Sequence, residues 1–89
     1  MKYKLKEPVE FGGQTFEECT VKEKWNAGDF IEIQNAGEGQ GDRCARQIAL
    51  ALNWPDPQVR ELSIEDYTKL IEISNDFFTK NTKKAKQNS

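Results

Sequence analysis

The chain contains no histidine, and its two cysteines stand alone. Histidine is the side chain that most often moves protons near neutral pH, and no Cys–His nucleophile pair exists without it. The adjacent acids Glu17-Glu18 and Glu65-Asp66 do not fill the gap. Neighbours in a strand point to opposite faces, and the second pair suits the start of a helix. No catalytic residue is assigned, and the expectation is a non-enzymatic protein. Cys19 and Cys44 supply too few ligands for a tetrahedral zinc site, so no metal or cofactor is expected. In a reducing compartment both read as small buried apolar side chains. Also absent are a secretory leader and any apolar run long enough to cross a membrane. The expectation is a soluble cytoplasmic protein. A net charge of −2 over 89 residues argues against general nucleic-acid binding.

What is present fits one small domain, residues 1–81, followed by a polar basic tail, 82–89, expected to be disordered. Charge is unevenly placed: 56–76 is acidic, whereas Lys80, Lys83, Lys84 and Lys86 make the end basic. The first 21 residues read as a β-hairpin. Tyr3, Leu5, Val9 and Phe11 alternate with polar residues, and Gly12-Gly13 is a two-residue turn signal because both tolerate positive φ. Pro8 has no N–H, so the first strand should be an edge there or irregular. With the turn at Gly12-Gly13, Val9 faces Phe16, and Cys19 and Val21 fall on the opposite side. A bulge near Glu17-Glu18 is expected to return them to the core face.

Helical patterning follows. Asn26 is a fitting N-cap with Asp29 three residues on, for a short helix from Ala27 to about Ala36 with Phe30, Ile31 and Ile33 as apolar contacts. The next helix, Gln40 to Asn53, has an apolar face of Cys44, Ala45, Ile48, Ala49, Ala51 and Leu52, with Arg43, Arg46 and Gln47 mostly on the solvated side. Trp54-Pro55-Asp56-Pro57 ends it and starts a single turn. The clearest helix spans Ser63 to Asn81. Ser63 caps it, Asp66 is placed to complete a short capping box, and Ile64, Tyr67, Leu70, Ile71, Phe77 and Phe78 recur at helical spacing. The fold class expected is therefore α+β: an N-terminal hairpin packed on about three helices, the last the longest.

Two motif readings fail on their own chemistry. Gly37-Glu-Gly-Gln-Gly41 precedes a helix, but a phosphate-binding loop needs a lysine that is missing, and Glu38 repels phosphate. The last two helices with the Pro57 turn outline a DNA-binding unit, but Glu65 and Asp66 stand where a recognition helix contacts phosphates and bases. A DNA-binding or regulatory module of a mobile element is the alternative reading.

Taken in order, Leu5-Lys-Glu-Pro8-Val9, the Gly12-Gly13 turn, Ala27-Gly28-Asp29-Phe30, Leu52-Asn-Trp54-Pro55, Leu62-Ser63-Ile-Glu-Asp66-Tyr67 and the closing Phe77-Phe78 resemble the small tail assembly chaperones of contractile-tailed, Mu-like phages and prophages. The resemblance runs from Tyr3 to Phe78. It implies a cytoplasmic, non-catalytic protein that binds the tape measure protein, a long, largely helical partner, until tail tube subunits polymerise around it. The chaperone is then absent from the finished particle. The family also implies a frameshifted longer form in some phages, through which the tail tube protein is a further partner. A structural tail-completion protein that stays in the virion is the other alternative. The family motif names no contact residues. The candidates are the large apolar residues at or near element ends, Trp25, Phe30, Trp54, Phe77 and Phe78, since aromatic anchors tend to dominate interfaces.

Overall fold

The computed structural model describes residues 1–87, with side chains through Thr82. It is an α+β domain in which an antiparallel hairpin packs on helices, the last of them the longest. Strand β1 spans Lys2–Phe11 and β2 spans Gln14–Thr20. Gly12 and Gly13 turn the chain with φ of 61° and 77°, the left-handed values that a tight hairpin turn demands and that glycine adopts without steric cost.

Near the turn Val9 pairs with Phe16, as the sequence requires, but the register slips between Lys4 and Val9. A ladder continued from the Val9–Phe16 pair would set Cys19 opposite Lys6, facing outward. Cys19 instead pairs with Tyr3 and is buried. The irregularity expected at Glu17-Glu18 thus takes its extra residues from the other strand: Leu5 to Pro8 lie against Glu17 alone. Pro8 explains the choice, because it has no N–H to give to the ladder.

Helix α1, Ala27–Gln34, ends two residues short of the expected Ala36. Asn26 and Asp29 close a reciprocal capping box, the Asp29 N–H donating to Asn26 Oδ1 at 3.0 Å and the Asn26 N–H to Asp29 Oδ2 at 3.1 Å. Only Ile33 of this helix is buried; Phe30 and Ile31, expected with it as the helix's apolar contacts, are 47% and 53% exposed. A helix of two turns presents a single residue per turn to its neighbour, so the flanking apolar positions stay wet.

Helix α2, Gln40–Leu52, buries Ile48, Ala51 and Leu52 and stops at Asn53, whose left-handed φ of 56° reverses the chain. Gln47 departs from its expected solvated place. Its amide donates to Ser74 Oγ at 2.7 Å and to Asn75 Oδ1 at 2.9 Å, joining α2 to the last helix. Helix α3, Asp56–Val59, is a single turn with Pro57 at its start, and it buries Val59 and Gln58.

Helix α4 spans Ile64–Gln87. Its backbone runs past the expected limit at Asn81 as helix to Gln87, into the tail expected to be disordered, while the side chains of 83–87 and all of residues 88–89 lie outside the described part. Leu70 and Ser74 are fully buried against the core of Leu5, Val9, Val21, Ile48 and Val59. Ile64, counted in the apolar stripe, is 85% exposed. As the first helical residue it stands on the rim of an open groove between α2, α3 and α4, where no element covers it. Among the described residues no helix is long and apolar enough to cross a membrane.

The burial contrast within one stripe is measurable. Leu70→Ala should cost about 2–5 kcal/mol of unfolding free energy, whereas Ile64→Ala should cost less than about 0.5 kcal/mol. Guanidinium denaturation of the two variants checks this, and equal losses would contradict the packing described.

Candidate partner-binding surface

Asp66 fixes the geometry on which this surface depends. Its carboxylate is fully buried, and five donor contacts converge on it. The Lys6 N–H reaches both oxygens at 3.1 and 3.0 Å, and the Glu7 N–H donates at 3.1 Å. The Tyr3 hydroxyl donates at 2.8 Å and the Ser63 hydroxyl at 3.1 Å. Ser63 is the expected cap, since its Oγ accepts the Asp66 N–H at 3.1 Å. Asp66 is not the expected capping-box partner. Its side chain leaves the helix end and crosses to the irregular stretch of β1, where two backbone donors have lost their ladder partners.

These contacts decide the ionisation of the carboxyl. Burial alone would raise its pKa, but the N–H groups of Lys6 and Glu7 and the hydroxyls of Tyr3 and Ser63 favour the charged form and hold it below the usual carboxylate range. The same environment acts oppositely on its neighbours. Burial, then the hydrogen bond to the Asp66 anion, push the Tyr3 phenol up to about 12. Burial and the same anion push the Cys19 thiol up to about 11, so it stays protonated and unreactive.

At the far end of α4 the structure gathers three of the five candidate aromatics. The Phe78 ring lies 5.0 Å from that of Trp25 and 5.8 Å from that of Phe30, all in tilted geometries. Trp25 is buried, Phe78 half-buried, and Phe30 faces solvent. Together with Asn26, Ala27, Asn81 and Thr82 they line a shallow groove of about 390 Å³. Phe77 is half-buried on the core with the Lys80 ammonium 5.4 Å above its ring. Trp54 sits apart, half-buried against Phe16 at 5.4 Å.

Sequence reasoning passes over Asn81, which holds this corner. Its Oδ1 accepts the Trp25 N–H at 3.4 Å, and its amide donates to the Glu23 carbonyl at 3.0 Å and the Phe77 carbonyl at 2.6 Å. An asparagine inside a polar helical run gives no local sign of such a role. Lys22 adds an ion pair to Asp29 at 2.8 Å and covers the Trp25 ring at 5.4 Å.

Residues 2–79 match the family described as phage tail assembly chaperone proteins, E, or 41 or 14. The chain belongs to this family. No curated protein and no solved structure matches it. The match takes in the Asp66 clasp and the Trp25, Phe30 and Phe78 rings of the groove, whereas Asn81 and Thr82 lie just past its end.

For this tail assembly chaperone, Asp66→Asn should cost about 3 kcal/mol or more, because an amide replaces an anion that accepts two buried N–H groups and two hydroxyls. Because the folded carboxyl titrates below its unfolded value of about 3.9, its contribution is full above that pH and disappears as pH falls through the folded value. Urea denaturation of wild type should therefore show a loss of stability as pH falls below about 4 that is smaller in Asp66→Asn. Parallel curves for the two proteins would refute the role given to this carboxylate.

Proposed function

We propose that this chaperone is a non-catalytic binder of the tape measure protein, keeping that long helical partner soluble in the host cytoplasm until tail tube subunits enclose it. On this reading it leaves before the particle is complete. The observation that carries the proposal is the family match over 2–79 joined to an apolar groove with Phe30 standing in solvent at its edge. A partner helix that exposes apolar residues before assembly needs a complementary apolar surface, and a helix laid into a groove is a common solution. Chaperone copies spaced along a long partner would gain further through multivalency.

Phe30 is the residue to change. Phe77 and Phe78 both pack on the core, so replacing them mixes loss of fold with loss of binding. Phe30→Ser removes a ring that lies outside the core and gives up only its contact with Phe78, so the melting temperature should fall by no more than about 5 °C. Co-expression with the tape measure protein of the same phage, followed by measurement of the soluble fraction of that partner, supplies the test. Wild type should hold the partner in solution and Phe30→Ser should hold markedly less. Failure of wild type to retain the partner would end the proposal, and equal retention by the variant would remove Phe30 from it.

A further inference from the structure

Three rings from three different stretches make up the aromatic groove. Phe30 belongs to α1 and Phe78 to α4, whereas Trp25 belongs to residues 21–26, which form neither helix nor strand. No ladder and no helical bond holds the backbone that carries Trp25. Its indole N–H has no acceptor among the described residues, so no hydrogen bond fixes the ring either. Helix α4 packs chiefly on α2 and β1, and that docking does not by itself set how close Phe78 comes to α1.

One side chain supplies what is missing. Among the described residues, Asn81 is the only hydrogen-bond partner of the Glu23 and Trp25 backbones. The bond from its amide to the Phe77 carbonyl, one turn back, holds the side chain in place on α4. Its remaining amide proton and its oxygen then meet the Glu23 carbonyl and the Trp25 N–H. Trp25 is thereby fixed relative to the turn of α4 that carries Phe78.

We infer that Asn81 is a positioning residue for partner binding. It acts through Trp25 and Phe78, setting floor and wall of the groove at their spacing from Phe30 before the partner arrives. A frame set in advance leaves less to be ordered on binding, which favours affinity. The inference rests on the tape measure reading above and adds a determinant of that same site.

The test replaces Asn81 by leucine, which keeps the volume and the helix and removes all three hydrogen bonds. Differently tagged wild type and Asn81→Leu are co-expressed with the full-length tape measure protein of the same phage, and the share of each on the purified partner is measured. Asn81→Leu should stay folded by circular dichroism, melt no more than about 8 °C below wild type and take about tenfold less of the partner. With Phe30→Ser already present, the further loss should be much smaller, because both changes act on one groove. In the Trp54→Phe protein without partner, Trp25 is the only tryptophan, and Asn81→Leu should raise the quenching of its fluorescence by acrylamide. An unchanged share, losses from the two changes that simply add, or unchanged quenching overturns the inference. So does a failure of Asn81→Leu to fold, which would make Asn81 a residue of stability rather than of position. In each of these cases the tape measure reading stands as long as wild type retains the partner. A wild type that fails to retain it overturns both.

Discussion

The fold depends on a problem created in its first ten residues. Where the hairpin register slips, the backbone N–H groups of Lys6 and Glu7 face away from β2 and toward the interior. Left unpaired there, each would cost about 1–3 kcal/mol. The Asp66 carboxylate, some 60 residues on, accepts both, and with them the Tyr3 hydroxyl. A charged acceptor for neutral donors is a strong arrangement at a buried site. The same anion sits in the first turn of α4, where the helix dipole favours negative charge. One side chain therefore satisfies the strand defect and anchors the helix end, and neither element is complete without the other.

The remainder of α4 is held in the same manner. Asp66 ties it to β1, Ser74 to α2 through Gln47, and Asn81 to the connection between β2 and α1 through Trp25 and Glu23. These residues lie eight and then seven positions apart, close to whole numbers of helical turns, so the ties fall along one side of the helix. Each replaces a possible apolar contact with a directional one. Apolar burial sets the strength of packing, and the polar ties set its register. Ser74 illustrates the point: its small side chain lets α2 approach, while its hydroxyl accepts from Gln47 and donates to the Ile71 carbonyl at 3.0 Å.

The legible parts of the sequence are those whose chemistry is local. Gly12-Gly13, the Asn26–Asp29 box, the Ser63 cap and the proline stop after α2 each act within a few residues, and each stands where the sequence places it. Asp66, Gln47 and Asn81 act across 27 to 63 residues, and nothing near them in the chain announces it. Asp66 is the instructive case, because a local role as a cap was available and hid the distant one. The hairpin irregularity was detectable as a conflict between Cys19 and the Gly12-Gly13 turn. Pro8, with no N–H to give to the ladder, decides which strand carries it. Periodicity marked Ile64, Phe30 and Ile31 as apolar-face residues. It carries no information on how far other elements cover them: Phe78 reaches Phe30 at 5.8 Å, yet the three residues stay 47–85% exposed.

That shortage of cover links stability to the candidate surface. A domain of 89 residues encloses few large side chains completely, and its fully buried group includes Ile48, Leu70, Val9 and Val21 but no aromatic. Aromatic rings are consequently held at the margins, where Trp25 is buried but not sealed, Phe78 is half-buried and Phe30 is about half exposed. Polar ties make this arrangement tolerable. Because Asn81 fixes the end of α4 against Glu23 and Trp25, the Phe78 ring need not be sealed from solvent for the helix to stay docked. An apolar corner can then remain open at rest, backed by a rigid frame, and its ordering entropy on covering is confined to a few side chains.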